Sequence, residues 1–210
     1  MVRAARASDG VDEIIIATST ASGDDAVASL GERLGVRVVR GSEDDVLSRF
    51  VLARAETGAD ALVRLTADCP LADPALISSV VAVWRSDPSL DYVATTLVRT
   101  LPRGLDVELV SKAALAEADR EAEDYHRTHV TSYLYAGPHQ FRTMGLVVAP
   151  PANDLRVTLD TAEDAATLDA IVTELGDRPP AWREVVELLR SRPDIVGINA
   201  DVRQKSLADG

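Results

Sequence analysis

Apolar residues in this chain occur alternately as short unbroken runs and at helical spacing. Residues 12–18, DEIIIAT, form an Ile-rich run that ends in the loop-forming Ser19, Thr20, Ser22 and Gly23. A run without polar alternation predicts a strand covered on both faces, as in a parallel sheet. From Asp24 to Leu34, the residues Ala26, Val27, Leu30 and Leu34 recur at helical intervals, and Gly35 supplies a stop. VRVV (36–39) predicts a second strand, followed by a turn at Arg40-Gly41-Ser42. Ser42 with Asp45 three residues on matches a capping pattern, and Val46, Leu47, Phe50 and Val51 carry a helix to about Gly58. ALVRLT (61–66) predicts a third strand. The loop DCPLADP (68–74) leads into a helix with Pro74 in its first turn, and DYVATT (91–96) predicts a fourth strand.

After Thr96 the rhythm changes. LPRGLDVELV (101–110) predicts a turn and a strand, and two helical segments follow at 111–120 and 125–135. FRTMGLVV (141–148) and LRVTLD (155–160) read as further strands, with helices near 162–175 and 181–190. The closing stretch, INADVRQKSLADG, has little periodicity, so residues 1–198 are expected to form one domain and 199–210 a tail. Repeats, low-complexity segments and long linkers are absent. Alternating strand and helix predicts an α/β fold, a mostly parallel sheet between helices.

Composition narrows the class. Hydrophobic residues make up 46% of the 210 and aromatics only 4%, which predicts an aliphatic core. The net charge of −12, without a basic patch, argues against a nucleic-acid partner. One cysteine, Cys69, excludes an internal disulfide and permits a reducing compartment. The N-terminus lacks the apolar segment of a signal peptide, and no apolar run approaches the ~20 residues of a membrane span. The expectation is a cytoplasmic protein with no membrane partner.

Open α/β sheets bind ligands at the carboxyl ends of their strands, so the residues just after each run carry the candidate chemistry. Asp68 and Asp160 each follow an apolar run, where a carboxylate is costly to bury alone. Such a pair suits Mg²⁺, which takes one or two carboxylates plus water and phosphate oxygens. Alternatively, each caps the helix that follows it. Cys69 reads as a small buried residue in a turn, since no base for a nucleophile is identifiable. His126 and His129 share a helical face without the further ligands zinc requires. Asp106 and Glu108 share one strand face, to meet water or to orient hydroxyl groups. Neither of the usual glycine-rich phosphate motifs is present.

Several segments together are more specific. VDEIIIATST, VRVVRGSEDDVLSRF, LVRLTADCPLADP, LPRGLDVE, HVTSYLY, LRVTLDTAED and INADVRQKSL occur in this order over nearly the whole chain. The series resembles the spore-coat polysaccharide biosynthesis protein F family, relatives of the CMP-Kdo and CMP-sialic acid synthetases. The resemblance implies a Rossmann-like three-layer α/β/α nucleotidyltransferase fold. It also implies transfer of a cytidylyl group from CTP to an acidic sugar, with pyrophosphate released and a homodimer as the assembly. It implies that Asp68 and Asp160 are the catalytic pair holding Mg²⁺. Arg40, Gly41 and Ser42, with Thr18 at the end of the first strand, fall on the nucleotide side. Gly104, Asp106, Glu108 and His129 fall on the sugar side. The chain departs from the pattern at Ala67, Thr128, Ser132 and Ala162, where Gly, Glu, Pro and Pro are common.

Family members open with a strand and a basic, glycine-rich loop that wraps the triphosphate, whereas this sequence begins at what corresponds to the end of the next helix. The expectation is that the first strand is missing, that Met1 is an internal start and that the natural protein is a few tens of residues longer. Two other readings are a glycosyltransferase using a nucleotide-sugar and a non-catalytic chain that associates with a partner.

Overall fold

The computed structural model describes residues 1–137 and 141–203. The helix α1 (Val2–Arg6) leads to β1 (Ile15–Ser19), a 3-10 turn and α2 (Asp25–Arg33). β2 (Arg37–Gly41), α3 (Val46–Thr57), β3 (Ala61–Arg64), α4 (Pro74–Ser86) and β4 (Tyr92–Ala94) continue the alternation. β5 (Glu108–Ser111) runs into α5 (Lys112–Glu121), and the short α6 (Tyr125–His129) and α7 (Ser132–Tyr135) follow. β6 (Thr143–Gly145), α8 (Ala162–Leu175), α9 (Trp182–Ser191) and α10 (Pro193–Val196) complete the order.

The strands form two sheets among the described residues, β1-β2 and β3-β5-β4-β6. β1 and β2 pair in parallel, as do β4 and β6, while β5 runs antiparallel to both β3 and β4. β5 therefore opposes the direction shared by β3, β4 and β6. Among the described residues no ladder joins the two sheets. All four residues of β3 are only half-buried, whereas those of β4 and β5 are fully buried.

Alternation along β4 assigns the layers. Val93 joins Leu109, Ile77, Val80 and Ile171 in one apolar cluster, against α4, α8 and α9. Tyr92 and Ala94 point the other way, with Val110, Leu47 and Leu115, against α3 and α5. The result is a three-layer α/β/α molecule. No helix among the described residues is long and apolar enough to cross a membrane.

Local chemistry sets the boundaries. Asp73 caps α4, accepting from the Ala75 N–H at 2.6 Å, and Pro74 follows in the first turn. α3 ends at Gly58 in the left-handed region, φ 67°. Its cap is Asp45, which accepts from Ser48 at 3.0 Å, rather than Ser42, whose hydroxyl accepts from the Asp45 N–H. Arg40 and Gly41, expected in a turn, lie within β2.

Two expected elements are corrected. The helix predicted over 125–135 is split at Val130, which sits at φ 53°, ψ −67°. The Thr131 N–H closes back on the His129 carbonyl at 2.6 Å, a three-residue γ-turn strained for a β-branched side chain. The strand predicted over 155–160 is an extended segment with a single bridge, Arg103 to Arg156. Its backbone bonds go to loops instead of to a ladder: Arg103 N–H to the Leu155 carbonyl at 3.0 Å, and Leu159 N–H to the Asp68 carbonyl at 2.8 Å. At the far end, the Asn199 amide donates to Asp164 at 2.8 Å, and residues 204–210 of the expected tail lie outside the described residues.

Candidate active site

The carboxyl end of β3, the loop after β4, the approach to β5, the end of α6 and the segment after the Arg103–Arg156 bridge converge on one cleft of about 660 Å³. Asp68, Asp160, Gly104, Asp106, Glu108 and His129 all line it. Sequence reading named these residues from four separate segments.

Asp68 and Asp160 are neighbours because their backbones are stitched together. The Asp68 carbonyl accepts both the Leu159 N–H at 2.8 Å and the Thr158 hydroxyl at 3.0 Å. One carboxylate oxygen of Asp68, Oδ1, is buried and has no hydrogen-bond partner. An ionised oxygen without a partner is costly unless a cation or donor meets it. Asp160 receives the Arg156 guanidinium at 2.7 Å and remains partly exposed. The helix cap expected of Asp160 belongs instead to Thr161, which forms a reciprocal capping box with Asp164.

Asp164 holds this corner in place. Its side chain is wholly buried and accepts from both Nε and Nη2 of Arg156, from Asn199 and from the Asp160 N–H. Burial alone would raise its pKa, but Arg156, Asn199 and the backbone donor outweigh burial and bring it to about 2.

The cleft is also lined by ion pairs. Arg64 pairs with Glu108, and Arg99 grips Asp106 through two bonds of 2.6 and 2.8 Å. Glu108 is only 5% exposed and also accepts the Tyr92 hydroxyl at 2.5 Å and the Thr131 hydroxyl at 3.0 Å. It is therefore a buried hub rather than part of a solvent face, and it anchors the turn that follows His129. Burial and the Glu108 charge push the Tyr92 phenol far above its ordinary pKa. Gly104 adopts φ 101°, and a side chain there would lie 2.5 Å from the Val157–Thr158 backbone. Glycine lets the Arg103 loop press flat against the Asp160 segment.

Cys69 is buried beside the Thr66 hydroxyl. Burial, with the nearby charges of Asp106 and Asp68, pushes its thiol up to about 12, which leaves it no thiolate with which to act as a nucleophile. His126 faces Ser132 at 2.8 Å and stacks against Tyr125. Among the described residues no group of three His, Cys, Asp or Glu side chains is arranged to hold a metal. Two carboxylates, one with an orphaned oxygen, do fit a cation that keeps water and phosphate ligands.

Thr18, Arg40, Gly41 and Ser42 are not among the cleft-lining residues. The Thr18 hydroxyl donates to Asp24 at 2.7 Å. Arg40 spans the β1–α2 loop through the Ser19 and Ala21 carbonyls and Asp25. Gly41 packs on Arg49 and Leu52. Sequence reasoning missed Arg64, Arg99 and Tyr135. Arg64 left a signal, as a lone cation within an otherwise apolar strand.

Comparison with known proteins places the chain in a family. The family model described as cytidylyltransferase matches residues 1–180. An uncharacterised protein of Methanocaldococcus jannaschii is 36% identical over 201 residues, covering 93% of this chain and 80% of its own. The spore coat polysaccharide biosynthesis protein SpsF of Bacillus subtilis is 34% identical over 189 residues, covering 87% and 77%. Among solved structures, a cytidylyltransferase from Leptospira borgpetersenii superposes with a TM-score of 0.87 at 22% identity, over 98% of this chain and 88% of that one. A CMP:2-keto-3-deoxy-manno-octonic acid synthetase complexed with CTP gives 0.56 at 16% identity, over 81% and 85%. Rv0371c of Mycobacterium tuberculosis, in complex with manganese, gives 0.54 at 22%, over 80% and 82%. With a model match over most of its length, a relative above one-third identity and the fold of a solved cytidylyltransferase, the chain belongs to the cytidylyltransferase family.

Proposed function

We propose that this protein transfers a cytidylyl group from CTP to an oxygen of an acidic sugar and releases pyrophosphate, as a cytoplasmic, Mg²⁺-dependent enzyme of surface glycan synthesis. The observation that carries this reading is the orphaned, buried Oδ1 of Asp68 beside Asp160, in a cleft also lined by Arg64, Arg99 and Arg103. Asp68 and Asp160 would hold the ion, and Arg156 with Asp164 fixes the orientation of the second carboxylate. When bound, the ion would offset negative charge on the phosphates. Arg99 holds both oxygens of Asp106 in a two-pronged grip, so that carboxylate keeps one orientation toward a sugar hydroxyl. Glu108 holds Thr131 and thereby the turn that presents His129. Thr18 and Arg40 to Ser42 are assigned to the nucleotide side on the resemblance alone, since their polar groups are engaged within the β1–β2 unit.

Calorimetry with CTP, with and without Mg²⁺, tests the proposal. The expected result is binding that requires the ion and weakens by at least about tenfold in Asp68→Asn. A folded wild-type chain that fails to bind CTP with Mg²⁺ present overturns the reading. Pyrophosphate release on adding a sugar acid separates it from transfer of a sugar from a nucleotide-sugar, which leaves a nucleoside phosphate.

A further inference from the structure

Three arginines line the cleft, and they are not equivalent. Arg64 is committed to Glu108 and Arg99 to Asp106. The guanidinium of Arg103 has no hydrogen-bond or ion-pair partner among the described residues. Its two nearest anionic neighbours are taken, Asp106 by Arg99 and Asp160 by Arg156.

We propose that Arg103 is the oxyanion-recognising residue of this cleft, a fork that receives a carboxylate or phosphate group of the substrates. A guanidinium offers paired donors matched to two oxygens of one anion, and it binds most strongly where water is partly excluded. Arg103 is half-buried, and its backbone is pinned on both sides. Its N–H donates to the Leu155 carbonyl at 3.0 Å, and its carbonyl accepts from Val157 at 2.7 Å. Gly104 then seats the loop against Val157 and Thr158. The side chain is thus carried by a rigid turn that does not depend on it for its own bonds. Partial burial lowers the pKa of Arg103, and the cations of Arg99 and Arg156 act in the same direction. An incoming anion relieves that repulsion, while Asp106 and Asp160 disfavour any anion that does not sit squarely on the fork. Identifying this oxyanion with the sugar acid or with the nucleotide phosphates rests on the cytidylyl-transfer reading; the site itself does not.

The test is calorimetric titration of wild type, Arg103→Gln and Arg103→Lys with inorganic pyrophosphate and, separately, with glucuronate, both with Mg²⁺ present. Circular dichroism melting confirms that each variant is folded. Weakening by at least about tenfold in Arg103→Gln, with a smaller loss in Arg103→Lys, supports the site. If the loss falls on pyrophosphate, the natural oxyanion is a phosphate; if it falls on glucuronate, it is a sugar carboxylate. A wild type that binds pyrophosphate through Arg103 but does not bind CTP leaves this site standing and removes the cytidylyl reading. Equal affinities in wild type and Arg103→Gln for both probes, or no binding of either probe by wild type, overturns the assignment.

Discussion

Asp164 is a wholly buried carboxylate kept ionised by its donors, so it ties the stability of the candidate site to pH. Its pKa lies near 2, below the ~4 of a free aspartate. A depressed carboxyl pKa contributes stability that is complete above the unfolded value and lost as the pH falls through the folded one. The melting temperature of wild type should therefore exceed that of Asp164→Asn near neutrality, and the gap should narrow as the pH drops from ~4 toward ~2. A gap independent of pH would show that Asp164 does not carry this linkage. At this scale the sequence was informative where a carboxylate followed an apolar run, as Asp68 does. It was silent where the partner depends on how a loop turns: no pattern shows that Asp164 would engage Arg156, eight residues before it, and Asn199, or that Arg99 would turn back on Asp106, seven residues on. The γ-turn at Val130 was equally hidden, because the apolar spacing of 125–135 suits one continuous helix.

Between elements, Arg127 of α6 ties three helices together. Its guanidinium meets Asp45, the cap of α3, at 2.7 Å, and Asp119 of α5 at 2.9 Å. The adjacent Thr128 hydroxyl donates to the Asp44 carbonyl at 3.2 Å. The segment that presents His129 is thus fastened to the loop that follows Gly41. Removing one partner from a partly buried, multiply bonded cluster costs roughly 1–3 kcal/mol. Arg127→Ala should lower the urea midpoint correspondingly, and a double-mutant cycle with Asp45→Asn should show a clear coupling energy. Strict additivity would mean that the contact carries no weight. The helices α4, α8 and α9 were readable from apolar periodicity, with Pro74 marking the start of α4. The segment 155–160 was misread as a strand because extended backbone looks alike in sequence whether its bonds go to a ladder or, as here, to Arg103 and Asp68.

Across the whole molecule, the alternation of strand and helix was legible in the sequence, but the reversed direction of β5, the irregular backbone of 155–160 and the division of the strands into two sheets were not. Hydrophobic runs state that a strand is covered, not which edges are paired. β1 and β2 are laddered on one side only among the described residues, whereas β4 and β5 are laddered on both sides. Amide hydrogen exchange should be at least about tenfold faster in β1 and β2 than in β4 and β5. Uniform protection would argue that the two sheets open as one unit. A ladder resists shear along its full length, whereas side-chain bridges and a shared helix resist it only at points. The β1–β2 lobe should therefore be the more compliant part of the protein, able to shift against the larger sheet at low elastic cost. A ligand touching both lobes would damp that motion, so its binding should carry an unfavourable vibrational and conformational entropy, which calorimetry can resolve at several temperatures.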